Sequence, residues 1–183
     1  MQFTGERVVP WAKDMQGWSW VMRDHLARYL WAIDWVSGKN VVDIGCGTGY
    51  GTFMLSWLAS SAVGVDINPE SIQFARDNFS HPSVSFSEVD LSTDSLPWAE
   101  VYVAFEVLEH LDDPRRVIEI VGNKTLLWSV PVNDPGRFHK RVYDARSAAL
   151  LVPGSVIWHQ YRDGHIGPPS VTQPKYILGV ANA

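Results

Sequence analysis

Four acidic residues stand at regular stations in the first two thirds of the chain, and each lies at the end of a short apolar run. They are Asp43, Asp66, Asp90 and Glu106. The first is followed at once by a glycine-rich stretch, Gly45-Cys46-Gly47-Thr48-Gly49-Tyr50-Gly51. Glycines let a chain turn sharply and bring its backbone against a ligand. Two phosphate-binding readings fail on this stretch. The dinucleotide fingerprint G-x-G-x-x-G, counted from Gly45, needs glycine at position 50, which is Tyr50. The phosphate-loop pattern needs a lysine that is not there. Asp43, just ahead of the turn, would also repel a pyrophosphate. A nucleoside-like, cationic ligand fits better. Asp66 follows Gly47 by 19 residues, close to the ~20 expected of an acid that accepts hydrogen bonds from ribose hydroxyls. A carboxylate at Asp90 suits the exocyclic amine of adenine.

These residues need elements to hold them. Residues 18–36 read as a helix, with Met22, Leu26, Tyr29, Leu30 and Ile33 on one face and Trp20, Trp31 and Trp35 off that stripe. Apolar runs at 41–44, 62–67, 84–89, 101–105 and 125–130 read as strands. Helices between them are expected at 52–59, from Asn68-Pro69-Glu70 to about Phe79, and from Asp113-Pro114 to Gly122. A short helix at 144–151 precedes two strands, 156–161 and 176–180, which have no helix between them and should pair antiparallel. The expected fold is α/β: a Rossmann-like, seven-stranded, mostly parallel sheet with helices on both faces and an antiparallel terminal strand pair. In such a sheet the ligand sits at the carboxyl ends of the strands, where the four acids lie.

Composition narrows the function classes. The chain has 183 residues, which matches one domain: an arm and helix over 1–36, read as a substrate cap, and a cofactor-binding core over 37–183. Fifteen Lys and Arg against 20 Asp and Glu leave a net charge of −5, which argues against a role gripping nucleic acid by phosphate neutralisation. The single cysteine, Cys46, excludes an internal disulfide. No window reaches the ~18 apolar residues of a membrane span. The opening residues lack the basic start and apolar stretch of a signal peptide. A cytoplasmic monomer or homodimer is the expectation.

The segments DIGCGTGYG, VGVDIN, VDL and FEVLEHLDDP together resemble the class I S-adenosylmethionine-dependent methyltransferases over about residues 38–132. The opening TGERVVP, with His25-Leu26-Ala27-Arg28-Tyr29 downstream, looks like one bacterial subgroup of them. The resemblance implies S-adenosyl-L-methionine as cofactor. It puts Gly45, Cys46 and Gly47 along the methionine and ribose, Asp66 on the ribose and Ile67 on the adenine face. Asp90 with Leu91 would take the adenine edge, and Phe105 and Glu106 would flank the methionine. Asp43 belongs to the same motif. Arg28 is a candidate for the cofactor carboxylate, with Asp24, four residues earlier, its rival partner.

Methyl transfer to a hydroxyl also needs a proton acceptor. His139, in the loop after the fifth strand, is the first candidate and His110 the second, while His25 reads as structural. The run Glu106-x-x-Glu109-His110 with a later histidine resembles the metal site of small-RNA 2′-O-methyltransferases and ubiquinone-biosynthesis O-methyltransferases. It is also widespread in metal-free relatives, so no metal is expected. The Asn/Asp-Pro-Pro-Tyr/Phe tetrapeptide of exocyclic-amine methylases is absent, Phe105-Glu106-Val107-Leu108 standing in its place. Arg137, Lys140, Arg141 and Arg146 form a basic cluster that reads either as a solvated loop or as a grip for an anionic group. The expected acceptor is a small molecule or a sugar-containing metabolite, methylated on oxygen. The rivals are an RNA or protein methyltransferase and a cofactor-binding sensor or subunit without turnover.

Overall fold

A computed structural model describes residues 19–182. Helix α1 (Ser19–Val36) leads into β1 (Asn40–Ile44), α2 (Tyr50–Ser56), β2 (Ser61–Asp66), α3 (Pro69–Asn78), β3 (Val84–Glu88) and β4 (Val101–Phe105). A single 3₁₀ turn (Leu108–His110) then precedes α4 (Arg115–Val121), β5 (Thr125–Pro131), α5 (Ala145–Ala149), β6 (Val156–Gln160), β7 (Ile166–Gly167) and β8 (Tyr176–Ala181). The strands form one sheet in the order β3-β2-β1-β4-β5-β8-β6-β7. The first five are parallel; β8 lies antiparallel between β5 and β6. The crossover helices therefore leave the carboxyl ends of β1 to β5 along one rim.

Local chemistry sets the element ends. Asn68 caps α3 by accepting a hydrogen bond from the Ser71 amide at 2.8 Å, and Pro69 occupies the first turn. Asp144 and Ser147 cap α5 reciprocally. The pleat sends alternate residues of each strand to opposite faces. On one face Val41, Val101 and Leu127 pack under α1, α2 and α3; on the other Val42, Ile44, Tyr102 and Trp128 pack under α4 and α5. Helix α2 lies so close to α1 that a Cβ on Gly51 would fall 1.9 Å from Tyr29 Cζ.

The expected seven strands are all present, and an eighth is added. Strand β7 has two residues, pairs with β6 through His159 and Gly167, and is too short to leave an alternating pattern. The stripe on α1 differs more. Leu30 is 58% exposed, whereas Asp24, Arg28 and Ala32 are fully buried. Lys175 and Arg23 both pair with Asp24, at 2.5 and 2.7 Å, so Asp24 does not hold Arg28. Arg28 Nη1 instead donates to Gln160 Oε1 at 2.8 Å, and its guanidinium lies 4.4 Å above the Tyr176 ring centroid. Gln160 Nε2 in turn donates to the Asp24 carbonyl at 2.9 Å. Helix α1 is thus sewn to β6 and β8. Trp31 packs against Phe105 and Trp158, a structural role. Trp11, Trp18 and the TGERVVP opening lie outside the described residues. No helix among the described residues is long and apolar enough to cross a membrane.

Candidate active site

A cavity of about 550 Å³ opens at the carboxyl ends of β1, β2 and β4. Its floor is the turn after β1. Gly45 has φ +68°, and a Cβ there would lie 2.6 Å from Val107 Cγ2, so the turn requires glycine at this point. The Gly47 amide donates to Asp66 Oδ2 at 2.9 Å, and the Asn68 amide donates to Asp66 Oδ1 at 2.9 Å. One carboxylate therefore ties the glycine turn to the end of β2 and keeps lone pairs for a ligand. Ile67, 60% exposed, presents a bare apolar face to the cavity. Asp90 accepts from the Ser92 amide and hydroxyl, which hold its carboxyl below the usual range.

Nine predicted residues line this cavity: Gly45, Cys46, Gly47, Asp66, Ile67, Asp90, Leu91, Phe105 and Glu106. Three do not. Asp43 is 1% exposed and turns away from the ligand space. It accepts from Thr52 Oγ1 at 2.7 Å and from the Tyr29 hydroxyl at 3.2 Å. Burial pushes its pKa up to about 7, against those two hydrogen bonds, with the nearby Asp66 charge adding to the rise. Arg28 lies behind the cavity wall, and its Nε and Nη2 meet no hydrogen-bond partner among the described residues. His139 also stands off the lining; its ring lies 5.0 Å from that of His110, which does line the cavity.

Glu106 is the strained member. It is a non-glycine residue at φ +58°, a conformation that costs on the order of 1 kcal/mol or more. Its amide donates to the Ser129 carbonyl at 3.1 Å, and the Ser129 hydroxyl donates to Glu106 Oε1 at 3.0 Å. Burial raises the Glu106 pKa; Arg28, Ser129 and His139 oppose the rise.

Beside it the loop after β5 folds down on the 3₁₀ turn. The amides of Lys140 and Arg141 both donate to the Glu109 carbonyl, and His110 Nδ1 hydrogen-bonds the Phe138 carbonyl at 3.1 Å. This clasp brings Glu109, His110 and His139 together, with one ligand atom of each within 4.8 Å of the others. Glu109 is fully buried, and neither oxygen of its carboxylate meets a hydrogen-bond donor on another described residue. Burial and the Glu106 charge push its pKa well up. Of the four basic residues singled out above, only Lys140 reaches the cavity, and it is paired with Asp112 at 2.7 Å.

His25, read above as structural, lines the cavity together with Tyr29 and Tyr50, to which no site role was given. The four-residue spacing of His25 and Tyr29 on α1 was the available signal, because it places both on one face.

Residues 41–122 match the family model of a methyltransferase domain. The N-methyltransferase NodS of Bradyrhizobium japonicum, solved in complex with S-adenosyl-l-homocysteine, superposes with a TM-score of 0.67 at 17% identity, over 88% of this chain and 86% of that one. The fold is that of the Rossmann-like methyltransferases. Among curated methyltransferases, a probable S-adenosylmethionine-dependent enzyme of Mycobacterium tuberculosis is 29% identical over 168 residues, covering 83% of this chain. A ubiquinone biosynthesis O-methyltransferase of Xanthomonas campestris is 28% identical over 136 residues, covering 69% of it. The chain spans 60% and 56% of the lengths of these two methyltransferases.

Proposed function

We propose that the chain is an S-adenosyl-L-methionine-dependent methyltransferase acting on an oxygen of a small-molecule or sugar-containing acceptor. One observation carries the cofactor assignment. At the Phe105 side of the cavity stands the half-buried carboxylate of Glu106, within electrostatic reach of the buried Arg28 guanidinium just behind the wall, two of whose nitrogens meet no hydrogen-bond partner among the described residues. That pair complements the ammonium and carboxylate of an amino acid. At the other side Asp66, Ile67 and Asp90 offer hydrogen-bond acceptors and an apolar wall to a nucleoside. The two halves fit the two ends of S-adenosylmethionine. When bound, that cofactor would supply an electrophilic methyl group on a sulfonium, with a neutral thioether as the leaving group toward an acceptor oxygen. The chain's residues orient the partners and keep the site dry. Gly45 to Gly47 and Asp66 hold the ribose and the start of the methionine. Ile67 and Leu91 enclose the adenine, and Asp90 accepts from its amine. Phe105 and Glu106 border the methionine, and His139 takes the acceptor proton. The names of the curated relatives, one of them an oxygen methylase, support the reading.

Calorimetric titration with S-adenosylhomocysteine tests it. Binding is expected, with a melting temperature that climbs as ligand is added. A folded protein that binds none at millimolar ligand would refute the assignment.

A second reading concerns Glu109, which is buried, whose two carboxylate oxygens meet no partner among the described residues, and which lies beside two imidazoles. Burying an unpaired carboxylate is costly unless it is protonated or paired with a cation. Glu109, His110 and His139, with Glu106 nearby, make a hard and borderline donor set that would hold a divalent cation, whose charge would favour the ionised carboxylates. His139 would then be a ligand and not a base. Magnesium, manganese or zinc is expected to raise the melting temperature of the wild type and not that of Glu109→Ala. Equal responses, with no effect of a chelator, would return the site to the cation-free reading.

A further inference from the structure

The cavity wall contributed by α1 and α2 carries a polar pair without a role in the mechanism above. His25 Nδ1 and the Tyr50 hydroxyl are 2.8 Å apart, and both residues line the cavity. Tyr50 is the first residue of α2, so the glycine turn delivers it directly. Its ring is held edge-on by Tyr29 at 5.8 Å, and Tyr29 in turn meets Phe105 at 5.4 Å. The pair therefore sits on the Phe105 and Glu106 side, away from Asp66 and Ile67. Arg28, one turn after His25, and Glu106 both act electrostatically on the Tyr50 hydroxyl.

Tyr50 is buried, and its hydroxyl makes no other hydrogen bond among the described residues. A hydroxyl offers one donor and two acceptor positions, so one contact with His25 leaves capacity for another. Burial, together with the charges of Arg28 and Lys175, holds the His25 pKa well below its ordinary value and so disfavours the charged imidazole. The pair adds hydrogen-bonding capacity beside Arg28 and Glu106 without adding charge.

We infer that the Tyr50 hydroxyl contacts the charged amino-acid end of the cofactor, and that His25 acts through it as a positioning residue. The inference rests on the cofactor reading proposed above. It adds a neutral contact to the Arg28 and Glu106 charges. It also explains why an imidazole sits under a helix whose other buried polar groups, Asp24 and Arg28, have partners on β6 and beside β8.

The test uses two probes on the full chain: S-adenosylhomocysteine, which carries the amino-acid end, and 5′-methylthioadenosine, which lacks it. Tyr50→Phe keeps the ring and removes only the oxygen, so the fold should survive; melting curves check this. Tyr50→Phe and His25→Phe should each weaken S-adenosylhomocysteine about tenfold, the scale of a hydrogen bond to a charged group. The double variant should be little worse than either single one, because both remove the same contact. His25→Asn, which can still meet the hydroxyl, should recover part of the loss. Affinity for methylthioadenosine, read directly or by competition, should stay within a factor of two throughout. Unchanged affinity of Tyr50→Phe for S-adenosylhomocysteine, or an equal loss for both probes, overturns the inference. A wild type that binds neither probe refutes the cofactor reading itself and is told apart by that result.

Discussion

Replacing Asp66 with alanine should lower the affinity for S-adenosylhomocysteine by roughly 10- to 100-fold, about 1.5–3 kcal/mol. Two effects add. The variant removes the carboxylate proposed to accept from the ribose. It also frees the Gly47 and Asn68 amides, which Asp66 holds at 2.9 Å each, so the turn that forms the cavity floor loses its tie to β2. Asp66→Asn separates them. Its amide oxygen can keep one of the two backbone bonds, but its amino group cannot accept from either a backbone amide or a ribose hydroxyl. Loss should therefore be graded, alanine worse than asparagine. Because Asp66 lies at the rim and not in either apolar core, thermal stability should fall far less than affinity. An alanine variant that binds as tightly as the wild type would place the nucleoside elsewhere.

The second large effect concerns stability and pH. Asp43 is enclosed by Tyr29 and Thr52, with a folded pKa of about 7 against an ordinary 3.8. A carboxyl whose pKa is raised on folding binds its proton more tightly in the folded state. It stabilises most below pH 3.8, and that contribution drains away as pH rises to about 7. Three pH units at about 1.4 kcal/mol each come to about 4 kcal/mol, an order-of-magnitude figure. Asp43→Asn cannot titrate, and the other carboxylates behave alike in both proteins. The wild type should thus lose about 4 kcal/mol relative to Asp43→Asn between pH 4 and pH 8 in denaturant titrations. Parallel stability curves for the two proteins would show that Asp43 ionises normally inside the fold.

Asp43 also marks the boundary of what could be read without coordinates. The strands, the glycine turn and the acids at Asp66, Asp90 and Glu106 were legible because apolar runs punctuated by helix caps define a parallel sheet, and the rim follows from the topology. Asp43 shares the motif but not the location. The pleat turns it to the side of Val41, under α1 and α2, while Val42 and Ile44 face α4 and α5. Arg28 sits behind the cavity lining for a different reason. A stripe of apolar residues on α1 selects Leu30, yet the buried line runs through Asp24, Arg28 and Ala32. Their partners Gln160 and Lys175 lie more than 130 residues away, and no local pattern announces such a partner. His139 and Glu109 meet for the same kind of reason: the loop after β5 reaches back across 30 residues to the 3₁₀ turn. Side-chain alternation and helix periodicity are local rules, whereas a buried polar network is settled by what arrives from elsewhere.

The place of β8 in the sheet has a consequence for how the chain assembles. It is the last of the described strands to be synthesised, yet it lies between β5 and β6 and pairs with both. Until it emerges, β5 offers an open edge of seven residues that are all buried in the finished fold, the kind of edge that invites pairing with another chain. Strand β6 and the Gln160 that receives Arg28 have no seat either. Helix α1 can pack its apolar residues on the parallel half, β1 to β5, but its buried Asp24 and Arg28 lack their partners until Lys175 and Tyr176 arrive. The polar ties that hold the α1 wall of the cavity are therefore completed only once β8 has been made, by the step that also buries the sticky edge.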